Sequence, residues 1–193
     1  KEYEPWPAVT VKNYTAQINL DTGTMRVELL REMGAVMPRG GGAPFFGEQR
    51  QVQLVGGNYA WNAPAAAGGM AAPQPGAQVE RMLALWATPQ GFIKAAMANN
   101  AIVKPTLGGT EVSFTIGGKY KMTGLIDAEH HVERVETWID QSIVGDMLVE
   151  TIYTGYQDFG GVMFPARIHQ RQDGFASLDL TVSAVKANSV VDI

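Results

Sequence analysis

The sequence predicts a mainly β protein of the α+β kind: a curved antiparallel half-barrel sheet with about two helices packed on its concave face. Three observations carry this. Apolar residues alternate with polar ones, with period two, along most of the chain. Turn signals built on Gly and Asp separate the alternating runs. One segment, Gln78–Asn99, switches to helical spacing.

The elements follow in order. Met25, Val27 and Leu29 alternate with Arg26, Glu28 and Leu30, and Val52 and Leu54 alternate with Gln51 and Gln53. This is the pattern of antiparallel strands buried on one face. A short strand, NYAWN, places Tyr59 and Trp61 on one side. In the next segment Val79, Met82, Leu83 and Trp86 fall at i, i+3, i+4 and i+7, and Thr88-Pro89 resembles an N-cap with proline at N1. Two consecutive helices are therefore predicted, near Ala77–Trp86 and Pro89–Asn99, the second with Phe92, Ile93, Ala96 and Met97 as its apolar stripe. Met82, Leu83, Trp86, Phe92 and Ile93 are expected to be largely buried. Alternation resumes at Val112, Phe114 and Ile116 and again at Leu178, Leu180 and Val182.

Asp21-Thr22-Gly23, Gly56-Gly57, Gly117-Gly118, Gly160-Gly161 and Asp173-Gly174 each lie between two such runs. Short hairpins need the positive φ that Gly and Asp supply. Gly117-Gly118 in particular predicts a two-residue hairpin joining 111–116 to 119–127. The count is about ten strands, most joined by hairpins, so a meander is expected. Met37–Gly47 and Ala63–Gly76 are rich in Gly, Pro and Ala and read as loops, the second a lead into the helices. Met37–Gly47 lacks the Gly-Lys-Ser/Thr ending of a phosphate-binding loop.

Length and composition suit one domain, 1–193. The chain begins at Lys1 and ends in Val190, Val191 and Ile193, which reads as a fragment of something longer. The net charge of −4 is scattered, without the clustered Lys and Arg that nucleic acid requires. No run approaches the ~18 apolar residues of a membrane span, so no transmembrane segment is predicted. With no cysteine, thiol catalysis, disulfides and Cys-ligated zinc are excluded.

Catalytic signals are sparse. His130 and His131 lie in DAEHH beside Asp127 and Glu129, and His169 lies between Ile168 and Gln170. In a strand, adjacent histidines point to opposite faces and cannot share a metal; in a turn they could. The reading adopted is a solvated polar turn, with no metal, catalytic or cofactor-binding residue in the chain. Asp158-Phe159-Gly160 matches a kinase tripeptide without its companion motifs, and Gly160-Gly161 reads as a turn. No Gly-x-Ser-x-Gly elbow is present, and the serines lack an evident general base. The positive signal is aromatic. Tyr59, Trp61, Trp86, Phe92, Trp138 and Tyr153 form a candidate apolar ligand surface, beside the ordinary role of aromatics in cores.

GEQRQVQLVGGNYAWN (Gly47–Asn62), TPQGFIKAAMAN (Thr88–Asn99), VERVETWI (Val132–Ile139) with Gly145-Asp146-Met147, and YTGYQDFGGVMFPARIHQ (Tyr153–Gln170) resemble the N-terminal region of bacterial exported metallo-β-lactamase-fold hydrolases. There a β-rich domain precedes the zinc-binding αββα domain. The His-x-His-x-Asp-His zinc motif of that family is absent here. The resemblance therefore implies a non-catalytic accessory domain, with zinc expected in the missing hydrolase domain. It would pack against or shield the hydrolase site, or mediate dimerisation with a second copy, in a periplasmic or secreted protein. The predicted architecture is also similar to periplasmic lipoprotein carriers with a half-barrel fold, which gives the alternative: a binding module for a lipid or other hydrophobic small molecule.

Overall fold

The structure is a computed structural model and describes residues 9–32, 47–64, 69–141 and 145–190. Most of the glycine-rich stretch at 37–47, the alanines and glycine at 65–68 and the last residues, 191–193, lie outside the described residues. Among the described residues the fold is mainly β, with antiparallel sheets, two α-helices and no closed barrel. The chain divides into two compact units, one reaching to Leu85 and the other spanning Trp86–Ser189.

The first unit holds β1 (Thr10–Asn19), β2 (Thr24–Glu32), β3 (Glu48–Gly56), β4 (Tyr59–Ala63) and β5 (Ala72–Pro73), in the sheet order β1-β2-β3-β4-β5. The alternation that defines β2 is realised as burial: Met25, Val27 and Leu29 are buried, as are Val52 and Leu54 on β3. The β1–β2 turn is held by Asn19, whose Oδ1 accepts the backbone N–H groups of Asp21 at 2.9 Å and Thr22 at 3.1 Å. A short side chain that satisfies two turn donors is what favours Asn there.

The helices follow as α1 (Gln78–Ala87) and α2 (Pro89–Ala98), within a residue of the sequence expectation, with only Thr88 between them. Pro89 occupies the first helical position, where its missing N–H costs nothing. The buried residues differ from the predicted stripe. Leu83 and Phe92 are buried, but Met82 and Trp86 are half-buried, Ile93 is exposed and Met97 is 83% exposed. Phe92 and Ala96 of the predicted stripe are buried, and the buried face of α2 continues through Pro89, Gly91 and Ala95 rather than Ile93 and Met97. Small residues on that face let the helix approach the sheet closely, which leaves the longer Ile93 and Met97 on the outside.

The second unit holds β6 (Ile102–Thr106), β7 (Gly109–Ile116), β8 (Tyr120–Ile126), β9 (Val132–Gln141), β10 (Gly145–Asp158), β11 (Met163–Gln172) and β12 (Phe175–Thr181), again in chain order across the sheet. The meander thus runs as two sheets of five and seven strands. Gly117 and Gly118 have φ of 59° and 68°, and Lys119 N–H donates to Ile116 C=O at 3.1 Å. Ile116 pairs with Tyr120, so the connection is a three-residue turn, 117–119, one residue longer than the predicted two-residue hairpin, and Gly117 and Gly118 supply its positive φ.

One face of this sheet carries the core: Val112, Phe114, Met122, Val135, Ile139, Val149 and Tyr153 are buried. Gly124 on β8 completes it. A Cβ there would overlap the Phe92 ring, falling 2.6 Å from Cε1. Phe92 therefore rests on the bare backbone of β8, beside Phe114 with ring centroids 5.2 Å apart.

Candidate functional site

The predicted aromatic surface separates into different environments. Phe92 is fully buried, and Tyr153 is buried with its hydroxyl donating to Ala87 C=O at 2.6 Å. Both pack in the core. Trp138 lies half-buried on the opposite face of β9 from buried Val135, Thr137 and Ile139, with Lys121 Nζ 5.5 Å from its ring centre. Trp86 is half-buried in the last turn of α1. Within the first unit, Tyr59 and Trp61 do share a cavity, an open slot of about 500 Å³ also lined by Gly56, Ala60, Ala71 and Pro73. That volume falls in the range of small-molecule sites, ~300–1,000 Å³.

The slot is built from local rules. Strand alternation puts Tyr59 and Trp61 on one side of β4. Tyr59 is 75% exposed, whereas Trp61 is half-buried. A Cβ at Gly56 would crowd Thr24 Cγ2 at 3.1 Å and make only an ordinary contact with the Trp61 ring, 3.9 Å from Cη2. The far wall is β5, in which Pro73 pairs with Trp61 and Ala72 with Asn62. Gln74 N–H donates to Ala60 C=O at 2.8 Å and continues that contact.

Arg81 on α1 braces β3 and β4. Its Nη1 donates to Leu54 C=O at 3.1 Å and Trp61 C=O at 2.8 Å, and its Nη2 donates to Asn62 Oδ1 at 2.7 Å. Burial draws the guanidinium below its ordinary pKa. It nevertheless remains the cation that ties β3, β4 and α1 together, since an arginine side chain does not lose its proton in water. Gln78 Nε2 adds a bond to Gly57 C=O at 2.9 Å.

Two of these parts escape sequence reasoning. The Ala/Pro-rich stretch before the helices, read as a loop, contributes β5 and a 3₁₀ turn at Pro75–Ala77. The signal was the short strand NYAWN, which needs a partner on its outer edge. Arg81 falls on the polar side of a helical pattern, and nothing in its spacing announces three backbone and side-chain acceptors.

The histidines occupy a different place. Asp127–His131 forms the β8–β9 turn, closed by Asp127 N–H to His131 C=O at 2.9 Å, with His130 at φ 67°. His131 stacks on Tyr156, centroids 4.3 Å apart and planes 8° from parallel, and its Nδ1 lies 3.5 Å from Asp127 Oδ2. Asp127 Oδ1 accepts the His131 N–H at 2.8 Å, and the Tyr156 hydroxyl donates to Val132 C=O at 2.7 Å. Burial, reinforced by Asp127, pushes the Tyr156 phenol well above its ordinary pKa. His131 is thus engaged by its own turn. His169 lies on β11, where Arg171 Nε donates to its Nε2 at 3.4 Å.

Among the described residues, no three His, Asp or Glu side chains stand close enough to hold a metal ion. The Asp158-Phe159-Gly160 stretch is the β10–β11 turn, in which Asp158 Oδ1 accepts the Gly161 N–H. A second cavity, lined by Glu111, Thr123, Arg134 and Glu136 among others, holds about 50 Å³, enough for water alone. No described helix is long and apolar enough to cross a membrane. The chain matches no protein-family model, no curated protein and no solved structure.

Proposed function

We propose that this chain is the N-terminal accessory region of an exported metallo-β-lactamase-fold hydrolase. It performs no chemistry itself and packs against or shields the hydrolase domain, or joins two copies. The observation that supports this is where the family-like blocks fall. Gly47–Asn62 is the β3–β4 hairpin, Thr88–Asn99 is α2, Val132–Ile139 is β9, and Tyr153–Gln170 is the β10–β11 hairpin. Within them the prominent side chains serve the scaffold: Phe92 seats α2 on β8, Tyr153 holds the end of α1, and Asp158 shapes a turn. A likeness carried by scaffold residues fits a region kept for its shape. The zinc of that family would belong to the downstream domain, because the histidines of this chain do not converge. Periplasmic or secreted location follows from the same reading.

Reading the coding sequence beyond Ile193 tests it. A His-x-His-x-Asp-His motif downstream supports the proposal, and a stop codon there overturns it. Independently, the purified chain is expected to carry no zinc and to hydrolyse neither esters nor β-lactams. Stoichiometric zinc that disappears in His130→Ala would move the site to the β8–β9 turn.

A second reading, a binding module for an apolar small molecule, is favoured by the Tyr59–Trp61 slot. Native mass spectrometry of the chain purified without detergent tests it through a co-purifying mass that Tyr59→Ala removes.

A further inference from the structure

We infer that β1 is the seam on which two copies of this chain pair, its outer edge meeting the same edge of a second copy in antiparallel register across a twofold axis at Ala16. The inference rests on the reading that the chain joins two copies, and it names the strand that does so.

Among the described residues the sheet edges are β1 and β5 in the first sheet and β6 and β12 in the second. An edge strand presents unpaired N–H and C=O groups, and a free edge is blunted by proline, lysine, a bulge or shortness. β5 is two residues long and ends in Pro73, and β6 carries Lys104 and Pro105. The β11–β12 ladder is interrupted by a register shift between Gln170 and Arg171, and β12 carries Asp179. β1 has its irregularity at one end only, between Val11 and Asn13, and from Asn13 to Asn19 its pairing with β2 runs without a break. That stretch, NYTAQIN, holds no charge, proline or glycine.

The stretch is also its own complement. Antiparallel pairing centred on Ala16 sets Asn13 against Asn19 of the second copy, Tyr14 against Ile18, Thr15 against Gln17 and Ala16 against Ala16. An aromatic ring opposite a β-branched side chain is a favourable cross-strand pair. Asn against Asn and Thr against Gln each bring a donor to an acceptor. The faces match as well. Tyr14, Ala16 and Ile18 pair within the chain with Leu29, Val27 and Met25, all buried, yet Tyr14 and Ile18 are only half-buried and Ala16 is exposed. The core face of the first sheet stops short at β1, and a second copy continues it with the same three residues in reverse order. A slip of one residue would set that face against polar side chains, which fixes the register. The charges at the ends agree, since Lys12 comes beside the turn that bears Asp21 of the second copy. Because the twofold uses one edge from each copy, the pairing closes as a dimer.

The chain contains no cysteine, which gives a direct test. Light scattering of the whole chain should show a dimer at the higher concentrations. Ala16→Cys places one thiol of each copy across the axis, with Cβ atoms roughly 5 Å apart, so mild oxidation should cross-link it on a non-reducing gel. Asn13→Cys, whose counterpart lies at the opposite end of the seam, should not cross-link. Ala16→Lys sets like charges face to face and should weaken dimerisation about tenfold. Circular dichroism spectra like the parent's establish that each variant is folded. A chain that is monomeric at every concentration overturns the inference and the joining of two copies together, while the coding sequence beyond Ile193 tests the accessory-region reading separately. A dimer that Ala16→Lys leaves intact, or that cross-links equally through Asn13→Cys and Ala16→Cys, keeps the joining of copies and overturns β1 as the seam. Assemblies that grow beyond a dimer overturn it as well.

Discussion

Phe92 and Tyr59 are aromatic residues with opposite fates, one with no exposed surface and the other 75% exposed. Phe92 meets a glycine on the facing strand, and that missing side chain lets a helix settle onto the sheet. Tyr59 also has a glycine nearby, Gly56, but no helix side chain enters the space, and a slot remains. Glycine opposite the aromatic creates room for Phe92 alone, since a Cβ at Gly56 would crowd Thr24 and only touch Trp61. What covers each ring decides whether the result is core or surface.

Substitutions sharpen this contrast. The largest effect is expected for Phe92→Ala, a loss of about 3–5 kcal/mol by urea denaturation, because a fully buried ring leaves a cavity. A loss near that of an exposed residue would mean that α2 is not seated as described. Gly124→Ala attacks the same contact from the sheet side. Its Cβ would overlap the Phe92 ring, so the cost is overpacking, about 1–3 kcal/mol. The double variant Gly124→Ala/Phe92→Leu should recover part of the loss if the overlap is its cause.

Tyr156 is the intermediate case, half-buried with a bonded hydroxyl. Its phenol pKa is raised in the folded protein from an ordinary 10.0, mainly by burial. The contribution to stability is therefore full below the ordinary value. It is lost as pH rises above it, because the unfolded tyrosine ionises first. Urea midpoints measured on either side of that pH should fall less in Tyr156→Phe than in the parent chain. At neutral pH the same variant should lose about 0.5–1.5 kcal/mol for the hydrogen bond to Val132. The smallest effect belongs to Tyr59→Ala, expected within about 0.5 kcal/mol of the parent. A larger loss would place Tyr59 in the core and close the slot.

Strand positions were legible in the sequence because period-two alternation reports burial on one face, as Met25, Val27 and Leu29 demonstrate. The double glycine at 117–118 was legible because few other residues adopt that turn. Of the α2 stripe, Phe92 and Ala96 are buried, and Ile93 and Met97 stay outside for a physical reason. Hydrophobicity alone favours Ile93 and Met97, but the close approach over Gly124 selects alanines, and that approach depends on a strand about thirty residues away in sequence. The aromatic set falls into different environments, because composition marks aromatics without saying which face of which strand will be covered. Of the six, Tyr59 and Trp61 line one slot, on the same side of β4 by their i, i+2 spacing. The wall opposite them was hidden in a proline-containing stretch that looked unstructured.

In both sheets each strand lies beside its predecessor and successor in the chain. No strand waits for a distant partner, so the entropy lost in closing each connection is small. For an all-antiparallel arrangement this means unusually local pairing, and locality is what accelerates folding. Each hairpin can zip as soon as its second strand has left the ribosome, with α1 and α2 synthesised between the two sheets. A single exposed β ribbon then has little time in which to meet another chain during synthesis.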